Sequence, residues 1–358
     1  MSTIDETRLF QANNHSKFKI GWKKVSLETE AEVKKILDNK FGIEDVYKVK
    51  QVDEWERMSN NFLVVSDSNV QKKYLLRKYL NVQSKDKIED ITQIAQYLRE
   101  NNIPTPVVIP TKRNEIFSDY EGYFWQVFGF IDGSHYEGTP FQLKDIASKI
   151  AIMHIAMAKC PFEVDVRQRS PWKECEWYNF FNILSEDKTP LNKRMLLEKD
   201  FILSCVNEVN RKYDKKTQKM QPVHGDLHPQ NTIYSRNRLV ALLDFADVCI
   251  AERARDVGNA CHRFTRQYVV NQKGKWQDKL PLAVNTFLKV YNTLNPLTNK
   301  EVESLQVLIK DELLRKIHLD LELYFSTGDP VRFEGGEFEK KIELLKEADV
   351  IGKIINSG

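Results

Sequence analysis

His224-Gly225-Asp226-Leu227-His228-Pro229-Gln230-Asn231, closed by Asp244-Phe245 after a strand-like interval, decides how the rest of this chain is read. Residues 232–243 pattern as two short apolar strands around a polar turn. Such a hairpin returns Asp244 beside Asn231. A loop that moves a phosphoryl group needs one carboxylate to accept or orient a hydroxyl. It also needs an amide and a second carboxylate to hold the metal ions that bridge a nucleotide's phosphates. Singly, an Asp or Asn near a turn is ordinarily a turn former, because its side chain bonds the local backbone. Here three functional side chains, their order and the apolar strands between them all agree.

The spacing also matches the pattern H-R-D-L-x-x-x-N followed by D-F-G. Asn231 stands five positions after Asp226, Leu227 follows the Asp, and Phe245 follows Asp244. Asp226 is therefore the candidate catalytic residue, and Asn231 and Asp244 are the candidate metal ligands. Twelve positions separate Asp244 from Asp256. A protein kinase places a long activation segment there, ending in A-P-E. The short interval favours a small-molecule acceptor over a polypeptide. Asp256, starting a helix-patterned stretch, is expected as an N-cap or a brace for the catalytic loop.

Upstream, residues 1–20 are polar and unpatterned, expected as a mobile leader. The pattern predicts a helix over 26–39 broken at Gly42, then strands at 46–52 and 62–65. The loop 53–61 between them would cover a nucleotide's phosphates, yet it contains no glycine. Ser59 and Asn60 are its candidate contacts, weighed against an ordinary hairpin loop. Residues 74–79 read as a third strand, where a long cation would meet the α and β phosphates. Alternation sends only one of Arg77 and Lys78 inward, with Arg77 the first choice. Glu89, on an amphipathic helix over 85–101, is a candidate to orient that cation, against the bland reading of a solvated glutamate. Residues 124–133 form an apolar strand running into a glycine-punctuated connector, read as a hinge. There the backbone of Phe128, Gly129, Phe130 and Ile131 would bond an adenine edge. The lobe boundary falls here: 21–130 as the nucleotide-binding N-lobe and 131–358 as the C-lobe.

Beyond the hinge, helical spacing predicts helices over 141–159, 257–268, 280–294, 299–325 and 337–354. His154 lies on the first of these and reads as a satisfied core histidine. Residues 162–223 read as a helical insert, with Trp172, Trp177, Tyr178, Phe180 and Phe181 packing together. An acceptor pocket is expected between Asp226 and the C-terminal helices, with His228, Arg263, Arg266 and Tyr268 as candidate contacts.

With 358 residues the chain is longer than one average domain, and its net charge of +3 gives no argument for nucleic acid or membrane. No apolar run approaches a membrane span. The five cysteines are scattered, odd in number and without a Cys-x-x-Cys pair, and no signal peptide opens at Met1. A reduced, cytoplasmic protein, monomeric or homodimeric, is the expectation.

From residues 224–231 together with Asp244-Phe245-Ala246-Asp247, the chain resembles the aminoglycoside phosphotransferase and choline kinase-like family. That family includes homoserine kinase type II and N-acetylhexosamine kinase. Tyr74-Leu75-Leu76-Arg77 looks like its third strand, and Ile103-Pro104-Thr105-Pro106 like its turn after the N-lobe helix. Ile150-Ala151, Met153-His154 and Asp256-Val257-Gly258 are similar to two of its helix motifs. The likeness covers roughly residues 46–264. It implies an α+β, bilobal protein-kinase-like fold: a small antiparallel-sheet N-lobe with one main helix and a large, mostly helical C-lobe. It further implies ATP (GTP in some members) and Mg²⁺, with Asp226 as base, Asn231 and Asp244 on metal, and Arg77 on phosphate. The glycine-free loop is a departure from the family, as is arginine where many relatives carry lysine. The expected activity is ATP-dependent phosphorylation of a hydroxyl on a small metabolite or drug. A non-catalytic nucleotide-binding module and a kinase acting on protein are the alternatives.

Overall fold

The fold is taken from a computed structural model, which describes residues 9–10, 21–52, 59–67, 72–80, 84–165, 172–186, 189–330, 333 and 336–357. The N-lobe runs β1 (Trp22–Lys24), α1 (Leu27–Ile36), β2 (Val46–Val52), β3 (Ser59–Ser66), β4 (Lys72–Tyr79), α2 (Lys85–Glu100), β5 (Val108–Ile109), β6 (Ser118–Tyr120) and β7 (Tyr123–Gly129). All seven strands form one antiparallel sheet in the order β1-β2-β3-β4-β7-β5, with β6 also pairing β7. Strand alternation sorts the side chains. Phe62, Val64, Leu76, Trp125 and Val127 form one buried cluster with Val33 and Ile36 of α1. Burying each of those aliphatic side chains stabilises by about 1.5–3 kcal/mol. The other face carries Arg77, Tyr79 and Gln126 and receives α2. Gln126 Nε2 donates to Thr92 Oγ1 at 3.0 Å, and the Tyr79 hydroxyl to Gln126 Oε1 at 2.9 Å. The lobe thus carries a helix on each face, the two that helical spacing predicts over 26–39 and 85–101.

Among the described residues the lobes meet around α2 and at the connector. Ile94 and Leu98 of α2, with Ile103, enter the C-lobe core, and the Leu242 amide donates to the Pro104 carbonyl at 2.8 Å. At the connector, Ser134 and Tyr234 exchange backbone hydrogen bonds of 3.0 and 2.7 Å. Gly133 allows that approach: a Cβ there would stand 2.5 Å from the Tyr234 carbonyl oxygen and 2.5 Å from Ile233 Cγ2. Gly133→Ala is accordingly expected to destabilise by about 1–3 kcal/mol, read as a lower urea midpoint at unchanged m-value.

The C-lobe contains α3 (Pro140–Met157), α4 (Glu174–Glu186), α5 (Pro190–Leu197), α6 (Lys199–Lys212), β8 (Met220–Val223), β9 (Thr232–Ser235), β10 (Arg238–Leu242), β11 (Cys249–Glu252), α7 (Arg253–Asn271), α8 (Trp276–Leu294), α9 (Asn299–Thr327) and α10 (Glu337–Ser357). Thr139 and Gln142 close a capping box at the start of α3. Ile146, Ile150, Met153, Phe264, Phe287, Leu314 and Leu345 bring α3, α7, α8, α9 and α10 into one core.

Two expectations are corrected, and of the two roles expected for Asp256 one is excluded. Residues 220–223 end the helical insert as β8, paired antiparallel with β11 through Val223 and Cys249; a four-residue strand whose partner lies far along the chain leaves little local pattern. Leu9 and Phe10 fall within the expected leader, yet both are buried in the C-lobe core, and the Phe10 amide donates to Glu347 Oε1 at 3.1 Å. Helix α7 begins at Arg253, so Asp256 sits inside its first turn and is not the N-cap. All five cysteines are free thiols. No helix among the described residues is long and apolar enough to cross a membrane.

Candidate active site

The ladder between β8 and β11 sets up the site. It sets β8 alongside the strand that leads into α7, with Met220 opposite Glu252 and Val223 opposite Cys249. From the first turn of that helix Asp256 reaches back to the loop: Oδ2 accepts the His224 amide at 2.9 Å and Oδ1 the Gly225 amide at 3.0 Å. Gly225 has φ +84°, a conformation open to glycine at low cost. His154 Nε2 lies 3.2 Å from Asp256 Oδ2, and its Nδ1 is 2.8 Å from the Tyr291 hydroxyl. Burial pushes the Asp256 carboxyl up, but the His154 bond and the Gly225 N–H outweigh it and leave it below the ordinary value. His154 is a core histidine, as read from sequence, and Asp256 is the brace.

Four hydrogen bonds then tie three functional residues into one frame. The Asp226 amide donates to His224 Nδ1 at 3.3 Å, so the proton of His224 is on Nε2, which donates to the Leu243 carbonyl at 3.0 Å. The Leu243 amide donates to the Asn231 carbonyl at 2.9 Å. Asn231 Nδ2 donates to the Asp226 carbonyl at 2.9 Å, which assigns Oδ1 as the amide's acceptor end. The β9–β10 hairpin, with Leu242 opposite Thr232, brings Asp244 back to the residue that precedes β9. Asp244 is exposed and left-handed at φ +59°. Asp tolerates that region better than most residues, and such strain concentrates at functional positions.

Asn231 Oδ1 and the Asp244 carboxylate are hard oxygen donors of the type that hold Mg²⁺. No group of three or more His, Cys, Asp or Glu arranged for a metal occurs among the described residues. A cation here would take its other ligands from phosphates and water, the usual arrangement for Mg²⁺ in nucleotide sites. The donor set therefore fits the group.

Asp226 itself faces two donors. Lys316 Nζ of α9 lies 2.6 Å from Oδ1, and His228 Nε2 lies 3.2 Å from Oδ2. His228 Nδ1 accepts the Gln230 amide at 3.2 Å, which puts its proton on Nε2, toward Asp226. Burial raises the Asp226 carboxyl, but Lys316 and His228 hold it well below the usual range. Burial also lowers His228, which stays neutral at pH 7.

The remaining sequence candidates divide. Arg77 Nε donates to Asn61 Oδ1 at 2.9 Å, on the α2 face of the sheet, with Cζ 5.8 Å from the Phe128 ring. Lys78 points to the opposite face, where Nζ meets Glu32 of α1 at 2.7 Å and lies 4.2 Å from the Tyr123 ring centroid. Glu89 pairs with Lys85 at 3.6 Å, while Arg77 bonds Asn61. Ser59 and Asn60 are ladder residues of β3 and not loop residues, and Asn60 Oδ1 accepts Gln51 Nε2 at 2.9 Å. The rest of the expected phosphate-covering loop, residues 53–58, lies outside the described residues. At the hinge the Gly129 amide donates to the Val107 carbonyl and the Phe130 amide to that of Lys73. Phe128 is paired within the ladder, so Ile131 alone of the four has an amide not spent on the sheet among the described residues. Arg266 is committed to Glu347 at 3.0 Å and Glu343 at 3.2 Å, a buried brace between α7 and α10. Tyr268 lies further along α7, its backbone against Gly138.

Sequence reasoning missed Lys316 and Asn259, whose Nδ2 donates to the Leu227 carbonyl at 3.1 Å. A signal for Lys316 existed. Leu305, Leu308, Ile309, Leu313, Leu314, Ile317 and Leu321 occupy more than one side of α9. Charges within such a helix must face protein or a pocket.

If Arg77 meets the phosphates, Arg77→Ala should raise KM for ATP by about 10-fold or more, the loss of one charge-assisted hydrogen bond. Lys78→Ala should leave that KM unchanged and lower the unfolding midpoint slightly, since its pair is partly exposed. Steady-state kinetics and thermal melts of both variants check the assignment.

The sequence profile of the phosphotransferase enzyme family matches residues 55–279. The homoserine kinase of Rhizobium meliloti (strain 1021) is 22% identical over 259 residues, spanning 72% of this chain and 74% of that protein. Among solved structures, a spectinomycin phosphotransferase crystallised with ADP and spectinomycin aligns with a TM-score of 0.65 at 14% identity. That alignment covers 91% of this chain and 97% of the other. An amicoumacin kinase in complex with AMP-PNP and Ca²⁺ aligns at 0.62 with 15% identity, covering 91% and 94%. These structures share the bilobal, protein-kinase-like fold.

Proposed function

Because the chain belongs to the phosphotransferase enzyme family and is a small-molecule phosphotransferase, we propose that it transfers the γ-phosphoryl group of ATP to a hydroxyl of a small metabolite or drug. The observation that supports this most is the hydrogen-bonded frame. Asp226, Asn231 and Asp244 are fixed to one another through His224 and Leu243. Relatives of the homoserine and antibiotic kinase type are consistent with an amino alcohol, amino sugar or aminoglycoside acceptor.

In this reading Asp226 holds the acceptor hydroxyl through a charge-assisted hydrogen bond and takes its proton as the new phosphorus–oxygen bond forms. The transition state of phosphoryl transfer is loose, so little proton transfer is needed early. A carboxylate with a depressed pKa is therefore adequate: its first task is alignment. Mg²⁺ held by Asn231 Oδ1 and Asp244 would neutralise charge gathering on the phosphates. Arg77, on the α2 face of β4, supplies a long cation for the α and β phosphates. The backbone after β7 gives the adenine edge Ile131, with Phe128 as a wall.

Incubating the protein with γ-labelled ATP, Mg²⁺ and a panel of hydroxylated metabolites tests this. Label is expected on a solute. Label on the protein itself would favour a kinase acting on polypeptide. ATP binding without transfer to any solute would favour a nucleotide-binding module.

A further inference from the structure

The charges around Asp226 are the feature that the general kinase reading does not use. Row by row along α7, Asp256 braces the catalytic loop and Asn259 bonds the Leu227 carbonyl. Arg263 lies one turn beyond Asn259, on the same side of the helix. It makes no hydrogen bond or ion pair with any described residue, although it lies within the field of Asp226. The neighbouring carboxylates already have cations. Asp320 contacts Lys341, Glu337 lies 3.4 Å from Lys340 Nζ, and Glu343 and Glu347 hold Arg266 and His262. Asp226 is itself held by Lys316. Lys341 stands close enough to Lys316 and Arg263 to be repelled by both.

Lys316 Nζ holds Asp226 Oδ1 at 2.6 Å, so an incoming hydroxyl that takes that oxygen displaces the ammonium. Once displaced, the Lys316 ammonium would be a second cation beside Arg263, which already feels the Glu347 and Glu337 carboxylates as well as Asp226. A polycationic acceptor would add charge of the wrong sign. A carboxylate or phosphate on the acceptor would complete both cations, and arginine's planar fork suits such an oxyanion.

Resting on the kinase reading above, we propose that the acceptor is a small hydroxylated acid whose oxyanion docks on Lys316 and Arg263 while its hydroxyl sits on Asp226. Lys316 then exchanges partners. In the free enzyme it neutralises Asp226, and in the complex it holds the acceptor's anion and releases the carboxylate oxygen to the hydroxyl. The phosphoryl step balances without a further reactant. The hydroxyl oxygen forms the bond to phosphorus, the bond to ADP's oxygen breaks, and the proton passes to Asp226.

The test uses the full-length protein with Mg²⁺ and γ-labelled ATP. The acceptors are a panel of hydroxy carboxylic acids and sugar phosphates, each paired with its neutral amide or unphosphorylated parent, together with kanamycin as a polycation. Label is expected on an acid and at least about 10-fold less on its neutral partner, the fold-change for one lost charge-assisted hydrogen bond. The carboxylate and phosphate arms show which oxyanion it is. In Arg263→Gln, KM for the labelled acid should rise by about 10- to 100-fold while KM for ATP holds. Preferential labelling of neutral compounds or of kanamycin would overturn the proposal and leave the kinase reading standing. An Arg263→Gln enzyme with unchanged KM for the acid would also overturn it. Absence of label on every compound would count against both.

Discussion

Asp226→Asn should lower kcat by about 10²- to 10⁴-fold, the range for losing a positioned proton acceptor, with the Kd for ATP nearly intact. The substituted amide keeps the shape of the carboxylate and can still accept one hydrogen bond. It cannot take the proton, and it presents an N–H₂ where the acceptor hydroxyl needs a lone pair. Nucleotide affinity should persist because Asn231 is held through the Asp226 backbone carbonyl, which the substitution leaves in place. Lys316 loses its anion in the variant, so a modest change in thermal midpoint is expected as well. The pH profile gives a second handle. With its carboxyl held well below the usual range by Lys316 and His228, Asp226 stays ionised from mildly acidic pH upward. In the free enzyme it should therefore produce no fall in kcat/KM as pH drops toward the ordinary carboxylate value. Comparable turnover in wild type and Asp226→Asn would remove the residue from the mechanism.

Asp256→Ala is expected to cost about 3–5 kcal/mol of stability, the range for removing one member of a buried charged network, and to lower kcat in whatever protein remains folded. The carboxylate serves two backbone amides and His154 from a site 2% exposed, and alanine leaves all three without an acceptor. The same group has a pH signature. Its carboxyl is depressed in the folded state, so its contribution is fully present above the unfolded carboxylate pKa. It is lost as pH falls through the lower folded value. Urea midpoints measured from neutral pH downward should fall in the wild type. Asp256→Asn, already less stable at pH 7, should show a shallower fall.

Why some of this was legible in the sequence follows from where each contact lies. The hairpin over 232–242 was readable because apolar alternation and a polar turn are local, and it fixes Asp244 near Asn231 with no other information. The choice between Arg77 and Lys78 needed the tertiary structure. Alternation says that they diverge, but only the position of α1, with Glu32 under Lys78, says which face is which. Ser59 and Asn60 were placed in a loop because Asn favours turns, whereas pairing with β4 extends β3 over both. Arg266 looked like a pocket residue because a charge on a helix near the site is ambiguous until Glu347 is seen beside it. Lys316 stands ninety positions from Asp226, and no local pattern joins residues that distant.

The central claim is that Asp244 and Asn231 hold a divalent cation against the nucleotide's phosphates. Calorimetric titration of ATP into wild-type protein and Asp244→Ala, each with and without Mg²⁺, tests it most directly. Mg²⁺ should tighten ATP binding to the wild type by about 10-fold or more, the scale of a single charged interaction, and that tightening should vanish in Asp244→Ala. An equal response to Mg²⁺ in the two proteins would contradict the account.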